Sequence, residues 1–236
     1  MSGKEPNYYP LMINIADKPC VIVGGGAVAE RKAQALLEAG AAVTVVSPEA
    51  TSRLRQWQQE GKLRLIAEPY RPLMSCIRSA YLIFAATDRP DVNKAVRLEA
   101  EQQGKLVNVA DDAVRSGFIV PASVRRGKLL IAVSTAGASP AVAKKVKREL
   151  EQAFGEEYEQ YLDVLQELRV LIQSVVPDTQ RRQELFKRML EWELLSWIRS
   201  GRFDERAKAE LLERIGLEPT AQGMDAIGRT IREYIE

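Results

Sequence analysis

Apolar positions follow two different patterns along the chain, and the change from one to the other divides it. Up to about residue 110, short apolar runs alternate with amphipathic stretches. Cys20–Val23, Ala42–Val46, Leu63–Ala67, Ala80–Ala86 and Leu106–Val109 read as strands. Val28–Ala39, Leu54–Glu60 and Pro90–Gln103 read as helices, stopped by Gly40, Gly61 and Gly104. Tyr8–Ile15 is apolar enough for a short strand or an edge segment before the Asp17–Lys18–Pro19 turn. Short runs without alternation suit strands covered on both faces, and the short joins make right-handed crossovers. The expected fold of this part is α/β, a Rossmann-type doubly wound parallel sheet.

After Asp111 the pattern changes. Phe118–Pro121 and Leu129–Val133 read as two strands around a basic turn, Arg125–Arg126–Gly127–Lys128. Ser134–Thr135–Ala136–Gly137–Ala138–Ser139–Pro140 follows, with Ser139 as an N-cap and Pro140 at the first position of a helix, Ala141–Phe154. From Glu156 on, Tyr158, Tyr161, Leu162, Leu165, Leu168 and Ile172 recur at helical spacing. Val176–Pro177–Asp178 is a break with Asp178 as a candidate cap. Leu185, Phe186, Met189, Leu190 and Trp197 suggest a second helix, Asp204 starts a third, and Ala221–Tyr234 makes a fourth. These aromatics are expected in a core. The boundaries that follow are 1–112 for the sheet domain, 113–150 for a small α+β segment and 151–236 for a helical domain.

Composition narrows the chemistry. A hydrophobic content of 46% supplies a core, and a formal net charge of +2 argues neither for nor against nucleic acid. There is no long apolar run, and the N-terminus lacks a secretory pattern, so a cytoplasmic protein without membrane partners is expected. Cys20 and Cys76 are the two cysteines, the first expected in the core, so no disulfide or thiolate metal site is expected. Histidine is absent, which leaves acid–base work to carboxylates, hydroxyls or lysine.

The candidate chemistry begins at Val23–Gly24–Gly25–Gly26–Ala27–Val28–Ala29, a G-x-G-x-x-A turn between a strand and a helix. Gly24 suits the tight turn, Gly26 lets a pyrophosphate approach the backbone, and Ala29 lets the helix pack close to the strand. The helix N-terminus offers free N–H groups and the positive end of its dipole. A plain tight turn is the competing explanation. Gly24, Ser47, Thr87 and Asp111 all fall at carboxyl ends of strands, where such sheets bind ligands. Glu49 lies slightly past the usual ribose-binding acid, which leaves NAD against NADP open. Lys144, Lys145, Lys147 and Arg148 form either a solvated face or an anion-binding wall.

Several motifs in order over residues 8–150 resemble the precorrin-2 dehydrogenase family of sirohaem biosynthesis, which includes the N-terminal half of multifunctional sirohaem synthases. They are Tyr9–Pro10–Leu11, Val23–Lys32, Ala85–Asp88 with Val92–Asn93, Val107–Asp111, Phe118–Ala122 and Ser134–Pro140. The resemblance implies an NAD-binding domain, a central segment that builds a homodimer, and a helical tail. It implies cofactor contacts at Ala27, Val28, Pro48 and Glu49, joined by Gly24, Gly26, Thr87 and Asp88. Asp111 matches the family's functional aspartate and is the candidate general base, with a structural acid as its alternative. Asn108, Ser134, Thr135, Gly137, Ser139 and Lys144 are the substrate-side candidates, Thr135 matching a serine of the multifunctional enzyme. Ala136 stands where the family usually has glycine. No residue is assigned to a resident metal.

The activity implied is oxidation of precorrin-2 to sirohydrochlorin with NAD, with insertion of ferrous iron (a substrate) as a second activity and no methylation. The carboxylates of the tetrapyrrole would meet Lys144, Lys145, Arg125 and the N–H groups near Ser134–Ser139. Two other readings remain at this point: another NAD-dependent dehydrogenase, and a regulatory module that binds nucleotide without turnover.

Overall fold

Each apolar run of the first pattern becomes a strand because both of its faces are covered. In a computed structural model, which describes residues 7–110 and 112–235, the strands are β1 (Pro19–Val23), β2 (Ala42–Val46), β3 (Leu63–Ile66), β4 (Leu82–Ala85) and β5 (Leu106–Val109). They form one parallel sheet in the order β3-β2-β1-β4-β5. Successive side chains of β1 enter different cores, as strand geometry requires. Cys20 and Ile22 pack with Ala29, Ala33 and Leu36 of α1 (Ala27–Glu38) and with Leu54 and Trp57 of α2 (Ser52–Gln59). Val21 and Val23 pack with Ile77 of α3 (Ser75–Ser79) and with Val96 and Ala100 of α4 (Pro90–Gln102). This is the expected doubly wound arrangement. The connection from β3 to β4 crosses over β2 and β1, so the strand order reverses between β1 and β4.

Register aligns the strand ends. Val23 faces Val46 on one side and Ala85 on the other, and Ala85 faces Val109. Gly24, Ser47, Ala86 and Ala110 therefore form the next row at the carboxyl edge. Backbone bonds continue into that row: Gly24 N–H to Val46 O at 2.9 Å, Ser47 N–H to Ile66 O at 3.1 Å, Ala86 N–H to Val23 O and Ala110 N–H to Ala85 O, both at 2.8 Å.

Two apolar segments, one expected as a strand or an edge segment and one as a strand, form no strand. Tyr8–Ile15 forms no strand among the described residues. β1 already has neighbours on both sides, and Pro10 lacks a donor for a ladder. The segment leaves Tyr9, Leu11 and Met12 exposed and is tied by a bond from Tyr8 Oη to Ala113 O, 3.3 Å. Phe118–Pro121 is not a strand either. The hairpin begins one residue later, as β6 (Ala122–Arg126) paired antiparallel to β7 (Leu129–Val133). Gly127 at φ +51° opens a two-residue turn, which draws Arg125 and Arg126 into the strand. Phe118 instead sets its ring edge-on to Phe84, centroids 5.4 Å apart.

The chain separates into two units, Met1–Val120 and Pro121–Glu236. The second holds the hairpin, α5 (Pro140–Ala153), α6 (Glu157–Val175), α7 (Thr179–Met189), α8 (Leu194–Arg199), α9 (Glu205–Leu217) and α10 (Ala221–Ile235). Ser139, Asp178 and Asp204 cap α5, α7 and α9 by accepting from Val142, Arg181 and Ala207 N–H groups. The expected second helix is split: Trp192 turns into the bundle and donates from Nε1 to Met224 O at 3.0 Å. Leu168, Ile172, Leu194, Ile215 and Met224 are fully buried; Trp197 is buried and Tyr161 and Phe186 pack against this core, as expected, while Tyr158 is half-buried and Tyr234, stacked on Trp197, is exposed. Among the described residues no helix is long and apolar enough to cross a membrane.

Candidate cofactor site

Three consecutive glycines join β1 to α1, and each does something different. Gly24 sits at φ +125°, and a Cβ on it would lie 2.2 Å from Ala86 O. It therefore lets the end of β1 press against the end of β4 at the point where the sheet order reverses. Gly25 is buried. A Cβ there would lie 1.9 Å from Glu49 O and 2.8 Å from Ser47 Oγ, and Gly25 O accepts the Thr51 N–H at 3.0 Å. Gly26 is exposed and is the N-cap of α1. A Cβ at Gly26 would meet nothing within 4 Å.

The open space therefore lies at Gly26, in front of a helix whose first bond runs from Glu30 N–H to Gly26 O at 3.0 Å. No side chain caps this helix among the described residues, so the first-turn N–H groups have no side-chain acceptor. Ala27 is exposed and Val28 half-buried, while Ala29 is fully buried against the sheet, as its small size predicts. Open room, donors and the positive end of a helix suit a pyrophosphate. A dinucleotide fits these residues.

The other strand ends add polar groups. Thr87 follows β4, and its N–H and Oγ1 both reach Asn93 Oδ1, at 3.1 and 2.7 Å. Asn93 Nδ2 returns a bond to Thr87 O at 2.9 Å. Asn93 is buried on α4 and ties the Thr87–Asp88 turn to that helix, a role that its place in the sequence does not signal. Asp88, Pro48 and Glu49 are exposed. Asn108 is buried on β5, where its Nδ2 donates to Phe118 O at 3.0 Å. Asp111 lies outside the described residues. Asp112 makes a turn: its Oδ1 accepts the Arg115 N–H at 3.1 Å, and its carbonyl accepts from Ser116 Oγ at 2.7 Å. Burial pushes the Cys20 and Cys76 thiols up, which keeps them protonated and unreactive.

In the second unit, the Ser134–Pro140 loop bonds largely to itself. Thr135 Oγ1 donates to Ser139 O at 3.1 Å and accepts the Ser139 N–H at 3.2 Å. Ser134 Oγ accepts the Ala136 N–H at 3.1 Å, and Ser139 Oγ caps Val142 at 3.3 Å. Gly137 is at φ +91°. On α5, Lys145 and Lys147 pair with Glu149 and Glu151 at 3.8 and 3.4 Å. Lys144 is exposed and forms no ion pair among the described residues.

The sheet order, the reversal at β1 and β4, and the glycine turn define a dinucleotide-binding α/β protein. Residues 11–122 match a family model described as putative NAD(P)-binding, and residues 126–153 match one described as the central part of sirohaem biosynthesis proteins. The chain is 35% identical over 190 residues to the siroheme synthase of Edwardsiella ictaluri, covering 80% of this chain and 41% of that one. It is 35% identical over 222 residues to the siroheme synthase of Chromobacterium violaceum, covering 94% and 46%. A solved structure titled "SirC, precorrin-2 dehydrogenase" superposes with a TM-score of 0.68 at 28% identity, covering 96% of this chain and all of that one. Over most of its length the chain is thus similar to siroheme synthases and to a precorrin-2 dehydrogenase, and it spans less than half the length of the siroheme synthases named.

Proposed function

We propose that the protein oxidises precorrin-2 to sirohydrochlorin with NAD. The observation that carries this reading is the open, uncapped helix entry at Gly26, in a chain of which 96% superposes on SirC. Bound NAD⁺ supplies the hydride acceptor; one proton must also leave the substrate. The chain's part is to bind and orient both molecules and to take that proton. Gly24, Gly26, Ala27 and Val28 hold the pyrophosphate through backbone, with Pro48, Glu49, Thr87 and Asp88 around the rest of the cofactor. Asp111, two residues past β5 in sequence, is the general base, because histidine is absent and a carboxylate is ionised at neutral pH. Asn108, Ser134, Thr135, Gly137, Ser139 and Lys144 are the residues proposed to meet the substrate. Ferrous insertion into sirohydrochlorin is proposed as a second activity, and the cytoplasm as the location.

Incubation with precorrin-2 and NAD⁺, followed by absorbance, tests the reading. Sirohydrochlorin and NADH should appear together. Asp111→Ala should keep NAD⁺ binding and lose turnover by roughly 10²–10⁴-fold. A wild-type rate in that variant would make Asp111 structural. NAD⁺ binding without turnover in the unmutated protein would favour the regulatory reading.

The 113–150 segment is proposed to make a homodimer. Among the described residues α5 buries no side chain fully, and Val124 is the one buried position in the hairpin. Val142, Val146 and Leu150 of α5, with Leu129 and Ile131 of β7, are left partly open to water, which a second copy would relieve. Sedimentation at micromolar concentration should give twice the chain mass; a monomer would reject this.

A further inference from the structure

β5 is an edge strand of the sheet, so one side of its backbone has no strand neighbour there. The chain itself comes back to cover that side. Gly117 N–H bonds to Val107 O at 2.8 Å, Asn108 Nδ2 to Phe118 O at 3.0 Å, and Val109 N–H to Ser116 Oγ at 2.9 Å. The chain leaves β5 after Val109, at the carboxyl edge where sheets of this kind bind ligands, and Asp111 follows two residues on. We propose that Ser116 is the positioning residue for the Asp111 base, its hydroxyl holding the chain on both sides of that aspartate. The inference rests on the reading of Asp111 as the general base, and Ser116 acts through it without touching the substrate.

A serine hydroxyl has one proton to give and two lone pairs to receive. Ser116 Oγ accepts the Val109 N–H at 2.9 Å and donates to Asp112 O at 2.7 Å, the shorter of its two carbonyl contacts; Val109 O is at 3.3 Å. Val109 precedes Asp111 by two residues and Asp112 follows it directly, so one hydroxyl ties the chain before the aspartate to the chain after it. The Asp112 N–H returns to Val109 O at 3.2 Å and joins the same two residues. Ser116 is held in turn. Its own N–H bonds to Ala113 O at 3.3 Å, and Asp112 Oδ1 accepts the Arg115 N–H at 3.1 Å. Ala113 O also accepts from Tyr8 Oη at 3.3 Å. Without the hydroxyl, Val109 N–H and Asp112 O lose their shared partner, and the Asp112 N–H bond alone links the two residues. A base must stay within hydrogen-bond reach of the proton it takes, and a misplacement of about 1 Å costs roughly 100-fold. None of these bonds involves the glycine turn, so nucleotide binding does not depend on them.

Turnover of precorrin-2 with NAD⁺, calorimetric titration with NAD⁺ and urea unfolding of the full chain test this together. Ser116→Ala should lower kcat roughly 10–100-fold while NAD⁺ affinity and the KM for precorrin-2 stay within about twofold. Ser116→Thr, which keeps the hydroxyl, should hold kcat within about threefold of the unmutated value. Added to Asp111→Ala, Ser116→Ala should cost nothing further, because the serine acts through the aspartate. Amide hydrogen exchange at Val109 should quicken in Ser116→Ala. A merely structural serine would lower the urea midpoint and leave the kcat of the folded protein alone. Should Ser116→Ala not fold, Ser116→Cys puts a weak donor and acceptor in place of the hydroxyl and should show the same loss of kcat at unchanged NAD⁺ affinity. An unchanged kcat in the folded variant, or an equal further loss in the Asp111→Ala background, overturns the proposal while leaving the oxidation reading intact. A wild-type rate in Asp111→Ala overturns it together with the assignment of the base. No turnover by the unmutated protein overturns the oxidation reading and the proposal with it.

Discussion

Two strand–loop–helix junctions in this chain are built from small residues of different kinds and are held in different ways. The junction before α1 is Gly24–Gly25–Gly26, and the one before α5 is Ser134 to Ser139. At the first, two glycines are demanded by neighbouring backbone, Ala86 O against Gly24 and Glu49 O against Gly25, while the third faces open space. No side chain caps the helix there among the described residues. At the second, Thr135, Ser134 and Ser139 direct their hydroxyls at backbone within the loop or the first turn of α5. A Cβ at Gly137 would meet nothing within 4 Å, so that glycine is set by conformation and not by crowding. The first junction leaves the donors at its helix entry open to an anion, whereas the second engages its hydroxyls with its own backbone and holds a fixed shape in which to meet the substrate.

The largest effects should come from the crowded glycines. Gly24→Ala puts a methyl into Ala86 O at a φ of +125° and should cost about 3 kcal/mol or more, read as a lower urea midpoint or failure to fold. Gly26→Val meets open space at an ordinary φ of −84° and should fold normally. It should nonetheless weaken NAD⁺ roughly 100-fold, because the added side chain stands where phosphate oxygens reach the helix N–H groups, and charge-assisted bonds of that kind contribute about 1.5–3 kcal/mol each. Full NAD⁺ affinity in Gly26→Val, measured by calorimetry, would erase the distinction drawn between the two junctions.

Much of this was legible because its causes are local. The five parallel strands and the caps at Ser139, Asp178 and Asp204 follow from runs, breaks and residue types a few positions apart. What was not legible depends on distant partners. Gly25 looks like a spacer until Glu49 arrives against it, 24 positions later (49 minus 25). Asn93 matters because Thr87 turns back to it, and Trp192 splits a helix because Met224 offers a carbonyl. The apolar run at Phe118 looked like a strand, but Asn108 and Phe84 hold it elsewhere and the hairpin starts after Pro121. Helix α3, at five residues, is too short for a period to register. Asp112, next to Asp111 in the chain, closes a turn onto Arg115 and Ser116 through its carboxylate and carbonyl, so it is a poor control for activity experiments at Asp111.

The smallest effect is expected at Ala136, an alanine held at φ +51° in the loop before α5. The Ala138 N–H bonds to Thr135 O at 2.9 Å across a turn whose two central residues, Ala136 and Gly137, sit at φ +51° and +91°. Positive φ at both central positions is the mark of a type I′ turn, which favours glycine or asparagine. An alanine held in the left-handed region costs roughly 1–2 kcal/mol. Replacing it with glycine removes that strain but adds backbone freedom to the unfolded chain, worth roughly 0.5–1 kcal/mol in the other direction. The difference leaves Ala136→Gly stabilising by less than about 1 kcal/mol, seen as a slightly higher urea midpoint at unchanged slope. The hydroxyl bonds of Thr135 and Ser139 do not involve the Ala136 methyl, which is exposed, so they should persist. A clear loss of stability instead would mean that the methyl braces the loop by contact. The second junction would then be held by crowding as the first is, and the contrast between them would reduce to their hydrogen bonds.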